Sequence, residues 1–496
     1  MRGISKRFID VVANDAVDFE VAPGEICALL GENGAGKTTL MNILFGYYSY
    51  DEGEIEVDGE PLLLRAPRDA IRAGIAMIHQ HFTLVPAHTV LENIIIGAGS
   101  DRGLFIDRKA ARDRILQIQD RFGLHVDTDA YVWTLSVGQQ QKVEILKALY
   151  RDSQVLIMDE PTGVLPPAEI HDLFSTLREL AAEGRSIVFI SHKLREVMEI
   201  ADRVVVLRNG RNVGQRLTRE TDVRELANLM VGREVLERIE RRHMEPTETV
   251  LTVEELTVTG NRGLDAVRNV SFAVRRHEVL GLAGVSGNGQ SELCEAIFGI
   301  RTFAGGAVSV RGTRVYGADP AKVVRLGMAR IPEDRIGTGL LMDLNLPTNV
   351  VLERHGRPPY SNRGLVNHGA VEAFARQLVD DYSIKVGGLS EPVQSMSGGN
   401  LQKVILAREL SGEPDVVVAA QPTRGLDVGA MEYVHTQILA QKERGAAVLL
   451  VSDDLDEIFT LSDRIIVMYE GEIVGEATAD PANREQVGLW MSGVVE

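Results

Sequence analysis

Eight consecutive residues near the start of the chain have the types and order of a phosphate-binding loop. They are Gly31, Glu32, Asn33, Gly34, Ala35, Gly36, Lys37 and Thr38. Glycines let backbone N–H groups point at phosphate oxygens, the lysine adds positive charge, and the next hydroxyl can bind Mg²⁺. The apolar run 25–30 predicts a buried strand before the loop, and residues 39–45 predict a helix after it. This context favours a nucleotide site over a chance glycine-rich turn.

A damaged copy of this loop occurs in the second half of the chain. It reads Gly284-Val285-Ser286-Gly287-Asn288-Gly289-Gln290-Ser291, with glutamine where the first copy has lysine. Gln290 follows Lys37 by 253 residues, and Glu333 follows Gln80 by the same number. Three further pairs are separated by 261 residues: Ser136 and Ser397, Asp159 and Ala420, His192 and Asp453. Five elements repeated in one order, at a nearly constant spacing, indicate a duplicated domain.

Composition favours a two-domain enzyme without a membrane span. The 496 residues suffice for two or three domains, and neither half contains the ~18 consecutive apolar residues of a transmembrane helix. The net charge of −18 excludes nucleic acid as a main partner, because phosphate backbones attract basic surfaces. The start does not resemble a secretory signal. Cys27 and Cys294 fall on a predicted strand and a predicted helix, so we expect buried thiols in a reducing compartment.

The domain boundary is predicted after Arg233. We expect a first domain over residues 1–233, a charged linker over 234–248 and a second domain over 249–496. A new strand is predicted from residue 250, and the first half has no counterpart of it before Met1. We therefore expect that this edge strand is absent from the first domain, or that the natural start lies upstream.

A further motif lies between the phosphate-binding loop and the Asp159-Glu160 pair. Residues 135–139 read Leu-Ser-Val-Gly-Gln and precede a predicted helix over Gln140–Tyr150. Taken alone, the motif could be a helix cap with Ser136 as N-cap. In this order, the motifs resemble the ATP-binding-cassette family over nearly the whole chain. The resemblance implies an α/β fold of two tandem P-loop cassettes, each with a mixed β-sheet core, flanking helices and a helical signature subdomain.

The resemblance also implies ATP and Mg²⁺ as cofactors and assigns a role to individual residues. Nucleotide contacts in the first half are expected from Phe8, Gly31, Glu32, Asn33, Gly34, Ala35, Gly36, Lys37, Thr38 and Thr39. Metal contacts are expected from Thr38, Gln80 and Asp159, and the expected catalytic residues are Gln80, Glu160 and His192. Glu160 would orient the attacking water. Phe8 would stack on adenine, with a place in the hydrophobic core as the alternative.

The motif residues that are replaced in the second half belong to one of the two expected ATP sites. Family members bind ATP between cassettes that face head to tail, so each site takes its signature motif from the opposite cassette. The intact site would therefore use Ser397, Gly398, Gly399 and Asn400 of the second half. The other site would combine the first signature, in which Val137 replaces a glycine, with Gln290, Glu333, Ala420, Gln421 and Asp453. We expect one productive ATP hydrolysis site per chain.

The tandem arrangement resembles the ATPase subunit of bacterial importers for simple sugars and nucleosides. Gln290, the Ala420-Gln421 pair and the string His79-Gln80-His81-Phe82 are closer to the nucleoside branch. This implies two transmembrane permease subunits, an extracellular substrate-binding lipoprotein and a place at the cytoplasmic face of the membrane.

Other functions remain as alternatives. Simple sugars such as pentoses or galactosides are an alternative substrate class. A tandem-cassette ATPase that acts on ribosomes is an alternative of another kind, although such proteins keep both ATP sites. A DNA-repair cassette would need zinc-binding cysteine pairs, which two cysteines cannot supply.

Overall fold

The computed structural model describes residues 1–8, 11–79, 82–97, 107–162, 165, 167–191, 193–232, 242, 244–261, 263–315 and 319–494. The chain divides into two compact units. Unit 1 comprises Met1–Glu237 with Asp427–Gly429, and unit 2 comprises Arg238–Leu426 with Ala430–Glu496. Most of the expected linker 234–248 lies outside the described residues, so the boundary at residue 233 stays a prediction.

Unit 1 alternates strands and helices. Its strands are β1 (Arg2–Phe8), β2 (Val11–Val17), β3 (Ile26–Leu30), β4 (Glu52–Glu54), β5 (Glu56–Val57), β6 (Glu60–Pro61), β7 (Ile75–Ile78), β8 (Val155–Asp159), β9 (Ser186–Ile190), β10 (Arg203–Arg208) and β11 (Arg211–Leu217). Its helices are α1 (Lys37–Leu44), α2 (Pro67–Arg72), α3 (Val90–Ile95), α4 (Arg108–Phe122), α5 (Val137–Tyr150), α6 (Pro167–Ala182), α7 (Leu194–Ile200) and α8 (Val223–Val231).

The main sheet of unit 1 has the strand order β11-β10-β3-β9-β8-β7. Its pairs are parallel except for the antiparallel edge pair β10–β11. A second, antiparallel sheet has the order β2-β1-β4, and β5 pairs with β6. Helices α3, α4 and α5 pack on one another as a helical part of the unit.

Strand β3 shows why the main sheet is buried on both faces. All five of its residues are buried. Ile26, Ala28 and Leu30 join the hydrophobic cluster of the longer helices, whereas Cys27 and Leu29 join the cluster that contains α1 and the antiparallel sheet. Successive side chains of a strand point to opposite faces, so a continuous apolar run is what a central parallel strand needs.

Unit 2 repeats this pattern. Its strands are β12 (Thr249–Thr259), β13 (Asp265–Arg275), β14 (Val279–Ala283), β15 (Gly305–Val310), β16 (Thr313–Val315), β17 (Met328–Ile331), β18 (Ser361–Asn362), β19 (Leu365–Val366), β20 (Val416–Ala420), β21 (Ala447–Ser452), β22 (Arg464–Tyr469) and β23 (Glu472–Thr478). Its helices are α9 (Gln290–Ile297), α10 (Pro320–Arg325), α11 (Leu346–Val351), α12 (His368–Asp381), α13 (Gly398–Leu410), α14 (Val428–Glu443), α15 (Leu455–Leu461) and α16 (Arg484–Met491), with a π-helical turn over Arg335–Gly339.

The sheets of unit 2 have the order β17-β20-β21-β14-β22-β23 and β13-β12-β15-β16. The first corresponds strand for strand to β7-β8-β9-β3-β10-β11, which supports the duplication inferred from the repeated motifs. The fold class predicted from the sequence, two α/β cassettes with mixed sheets and a helical part, is confirmed. Among the described residues, every helix falls short of the length and apolarity that a membrane crossing demands.

Two local predictions are wrong. Of the two alternatives for this strand, its absence from the first domain is wrong, because β1 holds the same central place between β2 and β4 that β12 holds between β13 and β15. Strand β1 has 7 residues where β12 has 11, which hid the correspondence. Helix α5 begins at Val137 rather than at Gln140, because Ser136 is its N-cap. Cys27 and Cys294 are buried free thiols, as predicted.

The packing of two aromatic rings in unit 1 yields a stability prediction. Phe189 on β9 is fully buried, and its ring meets Phe174 edge to face at a centroid distance of 6.0 Å. We expect Phe189→Ala to lower the free energy of unfolding by about 3–5 kcal/mol, because the cavity cannot collapse in a close-packed core. Denaturant unfolding measures the change. Leu63→Ala, at a side chain 62% exposed, should change it by less than about 0.5 kcal/mol; equal losses in the two variants would contradict the prediction.

Candidate functional site

The polar residues of the predicted site follow the carboxyl ends of adjacent parallel strands. Strand β9 lies between β3 and β8. Its last residue, Ile190, pairs with Leu29 of β3 on one side and with Asp159 of β8 on the other. The loop after β3 and the Asp159-Glu160 pair are therefore brought to one edge of the sheet, where ligands of open α/β sheets bind.

The loop after β3 requires glycine at defined positions. Gly36, the N-cap of α1, has φ 98°, and Gly34 has φ 82°. A Cβ atom on Gly36 would lie 2.3 Å from the carbonyl oxygen of Ala13, so the loop passes directly against β2. No side chain caps α1. The first-turn N–H groups therefore lack a side-chain acceptor, which makes this helix start suitable for an anion.

Lys37 is folded back over this loop. Its side chain is buried, and its Nζ donates to the carbonyl oxygens of Gly31 at 2.7 Å and Glu32 at 3.1 Å. Burial lowers the pKa of Lys37, while the carboxylates of Glu160 and Asp159 oppose that shift. A partly desolvated ammonium group close to the open helix start favours binding of a further anion.

Asp159 and Glu160 lie where β8 ends. The pKa of Asp159 is raised to about 6, chiefly by burial and also by the charge of Glu160, while Lys37 opposes the rise. Glu160 has φ 49°, and its N–H donates to the carbonyl oxygen of Ile190 at 2.9 Å. A left-handed conformation costs a residue with a side chain roughly 1–2 kcal/mol. The strand pairing holds this strained backbone and so fixes the direction of the Glu160 side chain.

Two predicted catalytic residues, Gln80 and His192, lie outside the described residues. The strands that lead towards them, β7 and β9, end at Ile78 and Ile190 in the same sheet. Phe8 is 39% exposed and meets the edge of Tyr48 at a ring distance of 5.4 Å. The alternative that Phe8 belongs to the hydrophobic core is therefore wrong.

The two signature motifs begin their helices differently. Ser136 accepts a hydrogen bond from the N–H of Gln139 at 3.2 Å, and the Gln139 side chain accepts from the N–H of Ser136 at 2.9 Å. This is a complete capping box on α5. In unit 2, Asn400 donates its Nδ2 to the Ser397 hydroxyl at 2.9 Å, and no side chain caps the backbone of α13. The start of α13 is thus more open to an anion than that of α5.

Sequence analysis missed a pair that holds the loop after β8. The Thr162 hydroxyl donates to the Glu196 carboxylate of α7 at 2.5 Å. The matching pair in unit 2 is Thr423 and Glu457, joined at 2.7 Å. Both residues recur after 261 residues, so the spacing used for the catalytic motifs could have revealed them.

The corresponding site of unit 2 has a similar backbone but lacks the charged side chains of unit 1. It encloses a cavity of about 210 Å³, lined by Ser286, Gly287, Gln290, Ser291, Cys294, Glu333, Ala420, Gln421 and Val451. Gln290 is buried like Lys37 and donates its Nε2 to the carbonyl oxygen of Val285 at 3.0 Å. Gln421 has φ 46°, close to the value at Glu160. The site therefore keeps the backbone features of the unit 1 site without the lysine or the acidic pair.

Comparison with known proteins identifies the family. The ABC transporter family profile matches residues 14–163 and 267–424, one segment in each half. The chain belongs to the ABC transporter family. It is an ABC-type ATPase with two tandem cassettes, as the sequence predicted.

Individual relatives extend the match over the whole chain. The glucose import ATP-binding protein TsgD13 of Haloferax volcanii is 46% identical, and the alignment covers 99% of this chain and 95% of that protein. The guanosine import ATP-binding protein NupO of Bacillus subtilis is 45% identical over 99% of this chain and 97% of that protein. A solved structure of RNase-L Inhibitor superposes with a TM-score of 0.66 at 20% identity, covering 100% of this chain and 93% of that one. This last likeness shows the ABC fold alone.

The residues of the unit 1 cassette fit ATP. The glycine loop leaves space above Gly34, where a Cβ atom would meet nothing within 4 Å. Backbone N–H groups at the start of α1 and the ammonium group of Lys37 are the donors that a polyphosphate needs. In unit 2 the glycine loop is kept, but Gln290 cannot supply the positive charge.

Asp159 yields a prediction about pH and stability in the nucleotide-free chain. Its folded pKa of about 6 lies above the model-peptide value of 3.8, so the folded state binds more protons between these pH values. The contribution of Asp159 to the stability of the chain should therefore fall as pH rises from 4 to 6. Asp159→Asn removes this effect and should be more stable than wild type by about 1–3 kcal/mol at pH 8.

The advantage of Asp159→Asn should shrink towards zero as pH approaches 4, where both side chains are neutral. Urea unfolding between pH 4.5 and pH 8 measures it. Asp113→Asn, at an exposed position on α4, serves as control and should show no such trend. A gain for Asp159→Asn that does not depend on pH would contradict the prediction.

Proposed function

We propose that this ABC protein is the ATP-hydrolysing, energy-coupling subunit of an importer, and that nucleosides are the imported class. The observation that carries the proposal is the 45% identity to a guanosine import ATP-binding protein over 99% of the chain. The degenerate cassette adds support, because Gln290 and the Ala420-Gln421 pair resemble the nucleoside branch more than the sugar branch.

Simple sugars are a second candidate, because a glucose import ATP-binding protein is 46% identical. We prefer nucleosides because of Gln290 and the Ala420-Gln421 pair at the degenerate site. Uptake of labelled guanosine, glucose and ribose by vesicles that contain the assembled transporter tests it directly. Saturable, ATP-dependent uptake of a sugar without uptake of guanosine would contradict the nucleoside assignment and leave the importer assignment intact.

In the proposed site, the residues of the loop 31–39 bind the phosphates of ATP. Lys37 neutralises charge at the β and γ phosphates, and the backbone N–H groups of Gly34, Ala35 and Gly36 orient them. Phe8, whose ring is partly exposed, stacks on the adenine ring. Thr38, Asp159 and Gln80 would hold Mg²⁺, with Asp159 acting through a water molecule, and the bound ion would neutralise charge on the phosphates.

Glu160 is the proposed general base. Its strained backbone directs the carboxylate from the end of β8 towards the loop edge, where it orients the attacking water and accepts its proton. Gln80 and His192 follow strands β7 and β9 of the same sheet, and we assign them to the water and to the γ-phosphate. Lys37 stabilises the charge that develops during hydrolysis.

We assign hydrolysis to the first cassette alone, over residues 1–233, and treat 249–496 as the degenerate cassette behind a linker at 234–248. Electrostatics support this asymmetry. Gln290 lacks the charge of lysine, Ala420 offers no carboxylate and Gln421 cannot serve as a base. One ATP is hydrolysed per chain and cycle.

The signature residues Ser397, Gly398, Gly399 and Asn400 are proposed to serve this hydrolysis, as the head-to-tail arrangement of the family implies. The open start of α13 supports the choice, because its first-turn N–H groups have no side-chain cap. The start of α5 is closed by the Ser136–Gln139 capping box, which leaves it less suited to phosphate.

Two transmembrane permease subunits and an extracellular substrate-binding lipoprotein are the proposed partners. The chain would then be peripheral, at the cytoplasmic face of the cell membrane, and the permeases would move when ATP closes the cassettes. Fractionation tests this arrangement, since co-purification with membranes is expected. Co-sedimentation with ribosomes instead would support the ribosome-acting alternative.

The general base provides the first catalytic prediction. Glu160→Gln should retain ATP binding and lower turnover by about 10²–10⁴-fold, because an amide cannot accept the proton from water. Phosphate release from the purified transporter and equilibrium ATP binding are the two measurements. The matched control is Gln421→Ala at the same position of unit 2, which should stay within about twofold of wild type. Near-normal turnover in Glu160→Gln would overturn the assignment.

The signature motifs provide the second catalytic prediction. Ser397→Arg should abolish ATP hydrolysis, because the bulky side chain would intrude on the site that the second signature serves. Ser136→Arg should reduce the rate less, although an arginine there can still hinder closure. ATPase rates of both variants in the assembled transporter decide the matter. If Ser136→Arg is inactive and Ser397→Arg is active, the proposed pairing is wrong.

A further inference from the structure

An arginine of unit 2 lies beside the residues of the degenerate site that correspond to the expected metal ligands of unit 1. The Arg424 guanidinium makes a short ion pair with the Glu333 carboxylate. The hydroxyl of Ser291, the second residue of α9, donates to the other oxygen of Glu333 at 3.3 Å. Arg335 in turn donates its Nη2 to the carbonyl oxygen of Arg424. Glu333 thus joins the loop after β20 to the first turn of α9 through one carboxylate.

Arg424 and Glu333 both differ from their counterparts in the first half. Ser291 follows Thr38 by 253 residues, the spacing that also relates Glu333 to Gln80. Arg424 lies 261 residues after Gly163. Where the first half has a neutral amide and a glycine, the second half has a carboxylate and a guanidinium that pair with each other.

The other polar groups of this site also contact one another. Asp453 accepts from the Ser286 hydroxyl at 3.2 Å. The Gln421 amide, oriented by its hydrogen bonds, donates to Asp453 Oδ1 at 3.1 Å and accepts from the Asp453 N–H at 3.1 Å. Ala420, at the end of β20, has no polar side-chain atom where β8 ends in Asp159.

This donor set does not fit a magnesium ion. Mg²⁺ requires oxygen ligands in an octahedral arrangement at short distances. The carboxylate nearest Ser291 is already neutralised by Arg424, and a guanidinium group remains charged under all physiological conditions. A divalent cation would therefore have to displace a fixed positive charge and would find no carboxylate at residue 420.

We propose that Arg424 is the resident cation of the degenerate site, in place of the divalent metal of a hydrolytic site. The site consequently takes no metal–nucleotide complex, and its segments are held together by the Arg424–Glu333–Ser291 contacts without a metal. The inference rests on the proposed function in one respect, because its test uses the proposed metal site of unit 1 as the reference.

The decisive measurement is the number of Mn²⁺ ions bound per chain in the presence of ATP, read by electron paramagnetic resonance. The Glu160→Gln chain is used so that ATP is not consumed. We expect one Mn²⁺ per chain. Adding Lys37→Ala and Thr38→Val should remove it, whereas Ser291→Ala, at the position that corresponds to Thr38, should leave one ion bound.

The outcomes separate this inference from the proposed function. Two ions per chain, or one that survives Lys37→Ala with Thr38→Val, would place a metal in unit 2 and overturn the inference. A Glu160→Gln chain that binds no Mn²⁺ with ATP would overturn the proposed role of unit 1, while agreeing that unit 2 takes no metal.

A second pair of variants tests Arg424 itself. Ala420→Asp alone restores a carboxylate but keeps the arginine, and should bind Mn²⁺ in unit 2 only weakly. Ala420→Asp with Arg424→Gly, which introduces the residue found at position 163, should bind Mn²⁺ at least about tenfold more tightly than Ala420→Asp alone, because a nearby positive charge is removed.

Equal Mn²⁺ affinities in these two variants would show that Arg424 does not exclude the metal, and would overturn the inference. The Arg424 side chain is 42% exposed, so its replacement does not empty the hydrophobic core. Ala420 is buried, but Ala420→Asp is common to both variants and cancels in the comparison. Unchanged circular dichroism and thermal unfolding confirm that the variants are folded before their affinities are compared.

Discussion

Parallel pairing between β3, β9 and β8 is the constraint on which the site of unit 1 depends. Because Ile190 is in register with both Leu29 and Asp159, three strands end at the same level of the sheet. The phosphate-binding loop and the acidic pair, which are more than 100 residues apart in sequence, are thereby fixed at one edge. The register is itself held by apolar side chains on both faces, since a shift by one residue would exchange the two buried faces.

Burial at this edge of the sheet disfavours the charged forms of Lys37 and Asp159, and their opposite charges partly compensate for that cost. Burial lowers the pKa of Lys37 and raises that of Asp159, so each group is easier to neutralise than in water. Their charges partly offset each other. The backbone of Glu160 is also strained. The fold tolerates this local energetic cost because it directs the side chain towards the site.

The second cassette keeps the backbone conformation of the site but has different side chains there. Gln290 folds back over its loop as Lys37 does, and Gln421 retains the left-handed backbone of Glu160. The β-sheet order is also kept. Side chains at the edge of a sheet can therefore be exchanged without loss of the fold, because the core beneath them is what maintains the strands. In unit 2 the exchanged residues contact one another, with Arg424 and Glu333 as the strongest pair by charge.

The sequence by itself determined the duplication, the fold class and the position of the phosphate-binding loop. These follow from fixed spacings and from apolar runs that only a doubly buried strand or an amphipathic helix uses. The same reasoning identified Ser136 as a possible N-cap but placed the start of α5 three residues late, and it overlooked β1, because a short strand carries little pattern.

Only the tertiary structure decided which side chains meet. The sequence showed that Arg424 and Glu333 differ from their counterparts, but not that they form a pair, since 91 residues separate them. It also gave no measure of the exposure of Phe8, the shifted pKa of Asp159 or the different caps of α5 and α13. These properties depend on burial and on distances between atoms far apart in sequence, which the fold sets and a linear pattern does not record.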